Sequence, residues 1–297
     1  MLFRSGPRLL ATVERAIPTD DSGETSRAVL VMENVSKRYT TRRRTTSTHV
    51  DAVQDFSVAL HPGRVTALVG QSGSGKTTIA RLVTGVERPT SGAITFRDIR
   101  VDTLRRRALR DYRRHVQMVF QDPFRSFNPR LTVVRALAEG PTNFGMSPDV
   151  VRKRMMEMLE LVRIDASALD RYPHEFSGGQ RQRLSIARAL MMEPELLVAD
   201  EAVSALDVSV QAQILSLLED IRDRLNLSIV FITHDLRVAA RLCHRILVMQ
   251  RGVVVESGDA RTIFSDPQHP YTRELLAAIP GQRRPAQAPA EQAPLPC

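Results

Sequence analysis

Apolar positions along this chain follow two rhythms. Residues 65–69 (VTALV), 196–199, 228–233 and 245–249 are short runs with almost no polar interruption, the pattern of strands buried on both faces. Residues 79–86, 104–112, 150–162, 180–191, 210–225 and 236–243 instead space their apolar positions as helices do. Shorter strands are predicted at 28–32, at 94–96, at 116–120, and at 253–255 after the turn Gln250-Arg251-Gly252. Phe56, Val58 and Leu60 alternate with polar neighbours before His61-Pro62-Gly63, which reads as a half-exposed strand ending in a turn. Between residue 122 and about 190 only helical patterns occur. Strands alternating with helices on either side of that block predict an α/β fold: a mainly parallel sheet, covered on both faces, with a helical insertion. Residues 1–27 lack periodicity and read as a flexible extension, and the Pro/Ala-rich stretch 283–297 reads as a disordered tail.

Composition narrows the classes. With 297 residues, 42% hydrophobic and 25% charged, the chain has enough apolar material for a large core. No apolar run approaches the roughly 18 residues of a membrane span, and the first residues lack the apolar stretch of a secretory signal. Two cysteines, Cys243 and Cys297, are too few for a disulfide framework, a four-ligand metal site or an iron–sulfur cluster, so the expectation is a soluble protein of a reducing compartment. The net charge of +9 is compatible with nucleic acid, an anionic membrane surface or a partner subunit. Of 42 basic residues only Lys37, Lys76 and Lys153 are lysine, which singles out any position that keeps one.

One of them completes a motif. Gly70-Gln71-Ser72-Gly73-Ser74-Gly75-Lys76-Thr77 is G-x-x-x-x-G-K-[ST], placed after a predicted strand, with Thr78 leading into the helix predicted at 79–86. Glycines let such a loop wrap backbone N–H groups around phosphates, Lys76 supplies a compact ammonium for the terminal phosphates, and Thr77 offers a hydroxyl to Mg²⁺. Asp200 and Glu201 follow the 196–199 run, at the end of a strand where ligands of open α/β sheets gather. Asp200 is placed to orient Mg²⁺ and Glu201 to polarise an attacking water. His234 ends the 228–233 strand on the same predicted edge. Ser177-Gly178-Gly179-Gln180 opens the helix beyond it, a second anion-ready helix start inside the helical block. Two such starts do not easily meet around one nucleotide within a monomer, but two head-to-tail subunits bring them together.

Taken in this order, the phosphate loop, SGGQ, the strand-end pair Asp200-Glu201, Ser204-Ala205-Leu206-Asp207 and His234 resemble the ATP-binding subunit of ABC transporters. The resemblance spans about residues 28–282. It implies a P-loop NTPase cassette with a RecA-like mixed-sheet core, an antiparallel β subdomain and a helical subdomain at 122–190, the ATPase domain ending near 265. It further implies Tyr39 stacked on adenine, Gln121 at the Mg²⁺ site, and the segment Ser177–Gln180 with Asp207 reaching the ATP of an opposing subunit. Within the family, residues 121–130 (QDPFRSFNPR), 172–176 (YPHEF) and 266–273 (DPQHPYTR) resemble the dipeptide/oligopeptide and nickel importer ATPases, making 266–282 a C-terminal extension of that branch. Such a subunit is an ATPase at the cytoplasmic face of the inner membrane. Its implied partners are two polytopic permeases, a second ATPase subunit and an extracytoplasmic binding protein. One departure stands out: where this branch reads Asp-Glu-Pro, the chain has Asp200-Glu201-Ala202, which removes a constraint on φ beside Glu201.

A soluble ATPase of the same family acting on nucleic acid or ribosomes is the competing class, with the arginine cluster at 105–114 as its footprint. A single cassette and 5% aromatic residues argue against it, so no nucleic-acid partner is expected. A GTPase or small-molecule kinase leaves SGGQ without a purpose.

Overall fold

The computed structural model describes residues 27–43, 46–123, 126–204 and 206–278. The expectations for residues 1–26 and 283–297 lie outside the described residues. Two sheets carry the architecture. The first is four-stranded and antiparallel, in the order β2-β1-β4-β5, built from β1 (Leu30–Arg43), β2 (Thr46–Leu60), β4 (Ser91–Phe96) and β5 (Ile99–Arg100). The second is six-stranded and mixed, with β3 (Val65–Val69), β6 (Val116–Val119), β7 (Leu196–Asp200), β8 (Ser228–Thr233), β9 (Arg245–Gln250) and β10 (Val253–Asp259) in the order β10-β9-β3-β8-β7-β6. All its neighbours pair in parallel except β10, which folds back antiparallel on β9.

The uninterrupted apolar runs are explained by double-sided burial. Leu196, Val198, Val230, Ile232, Leu68 and Leu247 belong to one core, which they share with β1, β2, β4 and the helix α1 (Lys76–Val83). Their strand neighbours Leu197, Ala199, Ile229, Phe231, Ala67 and Ile246 point to the other core, shared with the helical block and the C-terminal helices. The antiparallel sheet has one face in the core and the other outside, and β2 shows it: Val53, Phe56, Val58 and Leu60 are buried while Gln54, Asp55 and Ser57 are exposed. Strand β1 runs well beyond the apolar stretch at its start. Its polar half is held by cross-strand pairing, Arg38 opposite Asp51 and Tyr39 opposite Val50, which a hydropathy pattern does not register.

The middle of the chain is helical as expected, with α3 (Val133–Asn143), α4 (Pro148–Leu161) and α5 (Gly178–Leu190). The arginine-rich helix α2 (Arg106–His115) precedes β6. After β7 come α6 (Val208–Leu225), α7 (Leu236–Leu242), α8 (Ala260–Ser265) and α9 (Pro270–Ala277). Helix starts sit where side chains can cap them: Ser177, Asp207, Asp235 and His269 accept N–H groups from the first turns of α5, α6, α7 and α9. Among the described residues no helix is long and apolar enough to cross a membrane.

Candidate functional site

Four adjacent parallel strands deliver chemistry at one edge. In sheet order β3-β8-β7-β6, their carboxyl ends lead into the phosphate loop, His234, Asp200-Glu201 and Gln121. The result is a cleft of about 870 Å³ lined by Gln71, Ser72, Gly73, Gly75, Lys76, Thr77, Thr78, Gln121, Glu201 and His234, together with Val50, Asp51, Ala52 and Arg251.

The loop is shaped by its glycines and by what packs on it. Gly75 has φ 106°, and a Cβ there would lie 2.4 Å from the Ala52 carbonyl oxygen, so only glycine fits between the loop and β2. Gly252 in the β9–β10 turn, beside Ala52, donates its N–H to Ser74 O at 3.0 Å and braces the loop as well. Lys76 is 5% exposed and donates to Gly70 O at 2.7 Å and Gln71 O at 2.9 Å. Burial lowers its pKa, while the charges of Glu201 and Asp200 oppose that shift.

Asp200 lies behind the cleft surface, 7% exposed, with its Oδ1 buried and without a hydrogen-bond partner. Burial, then the neighbouring Glu201 charge, raises its pKa; the Thr77 hydroxyl, Lys76 and Arg81 act in the opposite direction. A buried carboxylate oxygen without a proton donor, beside a threonine hydroxyl, is the donor chemistry a hard cation takes, so these residues fit Mg²⁺. Among the described residues no cluster of three or more His, Cys, Asp or Glu offers an all-protein metal cage, and a magnesium site completed by phosphate oxygens needs none.

Glu201 adopts φ 47°, in the left-handed region that is costly for a residue with a Cβ. Its N–H is held by Ile232 O at 3.0 Å, and its carboxylate accepts Gln121 Nε2 at 2.9 Å and faces His234 Nδ1 at 3.5 Å. Two residues far apart in the chain, Gln121 and His234, are thereby arranged around one carboxylate.

The other candidates lie elsewhere. Ser177 caps α5 in a reciprocal pair with Gln180, each side chain accepting the other's backbone N–H, at 3.3 and 3.0 Å. Gly179 admits α6 closely, since a Cβ there would lie 2.5 Å from Val210 Cγ1. Neither Ser177–Gln180 nor Asp207 lines the cleft; Asp207 is exposed and caps α6, and its bonds from Ser209 and Val210 lower its pKa. Tyr39 also stands off the cleft, its hydroxyl bonding Glu87 Oε2 at 2.5 Å and its ring 5.1 Å from Lys37 Nζ. Sequence reasoning missed Val50, Asp51, Ala52 and Arg251, which line the cleft through the β1–β2 hairpin and a turn legible only as a turn.

An ABC transporter family profile matches residues 53–204, from β2 through the ends of β3, β6 and β7 to the residues after Glu201. The chain belongs to the ABC transporter family. It is an ABC ATPase cassette, and a second profile, the oligopeptide/dipeptide transporter C-terminal region, matches residues 255–296. A putative peptide import ATP-binding protein of Brucella ovis is 45% identical over 257 residues, covering 86% of this chain and 80% of that protein. The glutathione import ATP-binding protein GsiA of Salmonella typhimurium is 47% identical over 232 residues, 78% of this chain but only 37% of that longer protein. Among solved structures, the ATP-binding cassette MJ0796, in a dimeric post-hydrolysis state bound to ADP and Pi, superposes with TM-score 0.70 at 28% identity, covering 78% of this chain and 99% of that one. The cassette cbiO1 of Clostridium perfringens, part of the ABC transporter complex cbiONQ, gives TM-score 0.72 at 28% identity over 86% and 97% of the two chains. The mixed-sheet core, antiparallel subdomain and helical subdomain expected from the motifs are the architecture of this ABC ATPase.

Proposed function

We propose that this chain is the ATP-hydrolysing subunit of a di- or oligopeptide importer. It would work at the cytoplasmic face of the inner membrane with two polytopic permeases, a second cassette (a copy or a paralogue) and an extracytoplasmic binding protein. One observation carries the reading: the strand-end cluster around Glu201 and the oligopeptide/dipeptide C-terminal region occur in one cassette. The names of the relatives, peptide import and glutathione import, support the substrate class.

In this reading the loop from Gly70 to Thr78 wraps the ATP phosphates, and the Lys76 ammonium leaves its carbonyl partners for the terminal phosphate oxygens. Thr77, Asp200 and Gln121 hold Mg²⁺, which when bound neutralises charge on the phosphates. Glu201 orients and deprotonates the attacking water, while His234 and Gln121 hold its carboxylate in place. The base lies toward Val50, Ala52 and Arg251, with Tyr39 at the outer margin beyond Thr78. Ser177, Gly178, Gly179 and Gln180 present the amide-rich start of α5, with Asp207, to the γ-phosphate bound by an opposing cassette. Their separation from the cleft within one chain supports the head-to-tail pairing. A groove of about 390 Å³ between core and helical block, with Phe120 52% exposed at its side, is shaped for a permease segment.

The test is ATP-dependent pairing and turnover in the presence of the proper counterpart. Glu201→Gln should slow hydrolysis by at least ~100-fold and trap a stable ATP-bound dimer. A chain that stays monomeric at saturating ATP, or a wild type no faster than this variant, overturns the reading.

A further inference from the structure

Beyond the nucleotide cleft, the phosphate loop is gripped by the C-terminal segment. Tyr271, 5% exposed at the start of α9, lies 200 residues after Gln71, and its hydroxyl accepts the Gln71 N–H at 3.1 Å. The carbonyl of that same peptide unit, Gly70 O, accepts Lys76 Nζ at 2.7 Å. The following carbonyl, Gln71 O, accepts Lys76 Nζ at 2.9 Å and Ser74 N at 3.2 Å. In the nucleotide-free cleft one peptide plane is thus held at its N–H end by a tyrosine and at its C=O end by the lysine, and when ATP draws the lysine away the tyrosine remains. Bonds linked in such a chain polarise and align one another.

The tyrosine itself has little freedom. His269 Nδ1 caps α9 by accepting Tyr271 N at 3.2 Å, and Glu256 of β10 accepts Gln268 N at 2.7 Å and His269 N at 3.0 Å. Thr272 and Leu276 anchor the rest of α9 in the core. A buried ring with a fixed hydroxyl is a rigid reference against which a glycine-rich loop can be set.

We propose that Tyr271 is a positioning residue of the ATP site. Through the Gly70–Gln71 peptide it holds the loop in its phosphate-binding shape, and it makes residues 256–276 an energetic partner of nucleotide binding. The inference rests on the cleft being the ATP site and adds the C-terminal segment to it. Without the hydroxyl, the Gln71 N–H is left unpaired, the peptide can rotate, and the cradle must be reordered by each incoming ATP.

The experiment compares the full-length wild type with Tyr271→Phe. The variant should bind ATP roughly three- to tenfold more weakly, with KM for ATP raised to match and kcat at saturating ATP little changed. Its nucleotide-free unfolding midpoint should stay within about 2 °C of wild type, since the ring is retained. Linkage supplies a second readout in the wild type alone: saturating Mg-ATP should slow amide hydrogen exchange across residues 268–276. Equal ATP affinity in both proteins, or wild-type exchange at 268–276 indifferent to ATP, overturns the inference while leaving the ATP site intact. Absence of ATP binding by the wild type instead overturns the reading of the cleft. If Tyr271→Phe does not fold, the wild-type exchange measurement decides.

Discussion

Asp200, the proposed magnesium-facing carboxylate, sits where its charge weighs against stability. Burial and the neighbouring Glu201 charge raise its pKa, so the charged form costs more free energy in the folded state than in the unfolded chain. The sign follows directly: the penalty is absent at pH below the unfolded pKa and grows as pH rises through the folded one. Asp200→Asn should therefore raise the nucleotide-free unfolding midpoint at neutral pH by ~2–4 °C, with the gap to wild type closing on acidification, while Mg²⁺-dependent hydrolysis is lost. Scanning calorimetry from pH 7 down to pH 4 checks it; a variant no more stable than wild type at pH 7 refutes it. Glu201 pays in backbone rather than in charge, since its φ of 47° is held by its N–H bond to Ile232 O. Ala202 after it is buried, so the departure from Asp-Glu-Pro leaves a packed turn.

At the scale of elements, local chemistry explains most of what could be read in advance. Ser177, read from the sequence as a helix start, caps α5 with Gln180; Asp207, which the sequence reading did not name as a cap, caps α6 through Ser209 and Val210. Ser177→Ala should lower stability by about 1 kcal/mol through the lost cap. Its larger effect should fall on hydrolysis in the paired state, with ATP binding to the single chain unchanged; equilibrium unfolding, nucleotide titration and turnover separate the three. The buried strands were equally legible, because double-sided burial writes an unbroken apolar run. Strand β1 was not, beyond its first residues, because its polar half depends on Asp51, Val50 and the rest of β2 across the hairpin. Tyr39, which the family resemblance places on adenine, has its hydroxyl on Glu87, a contact 48 residues away in the chain that no local pattern registers.

For the whole molecule, the two subdomains meet along the groove that carries Phe120, Glu139 and Phe144, with the Arg110 guanidinium 4.6 Å from the Phe144 ring on its flank. An exposed phenylalanine contributes little to the core, so Phe120→Asp should leave ATP affinity of the isolated chain within about twofold and abolish co-purification with the proposed permeases. Normal permease recovery would remove this groove from the coupling path. The sequence by itself determined the phosphate loop, the strand-end acids, the helix start at Ser177 and the class of fold, because each depends on contiguous residues and on a periodicity set by backbone geometry. The order β3-β8-β7-β6 was decided only in three dimensions, by which crossovers pack their helices on which face. That order brings Gln121 and His234 to Glu201, and the docking of α9 brings Tyr271 to Gln71. Contacts between residues far apart in the chain arise from the packing of whole elements, and no local pattern encodes them.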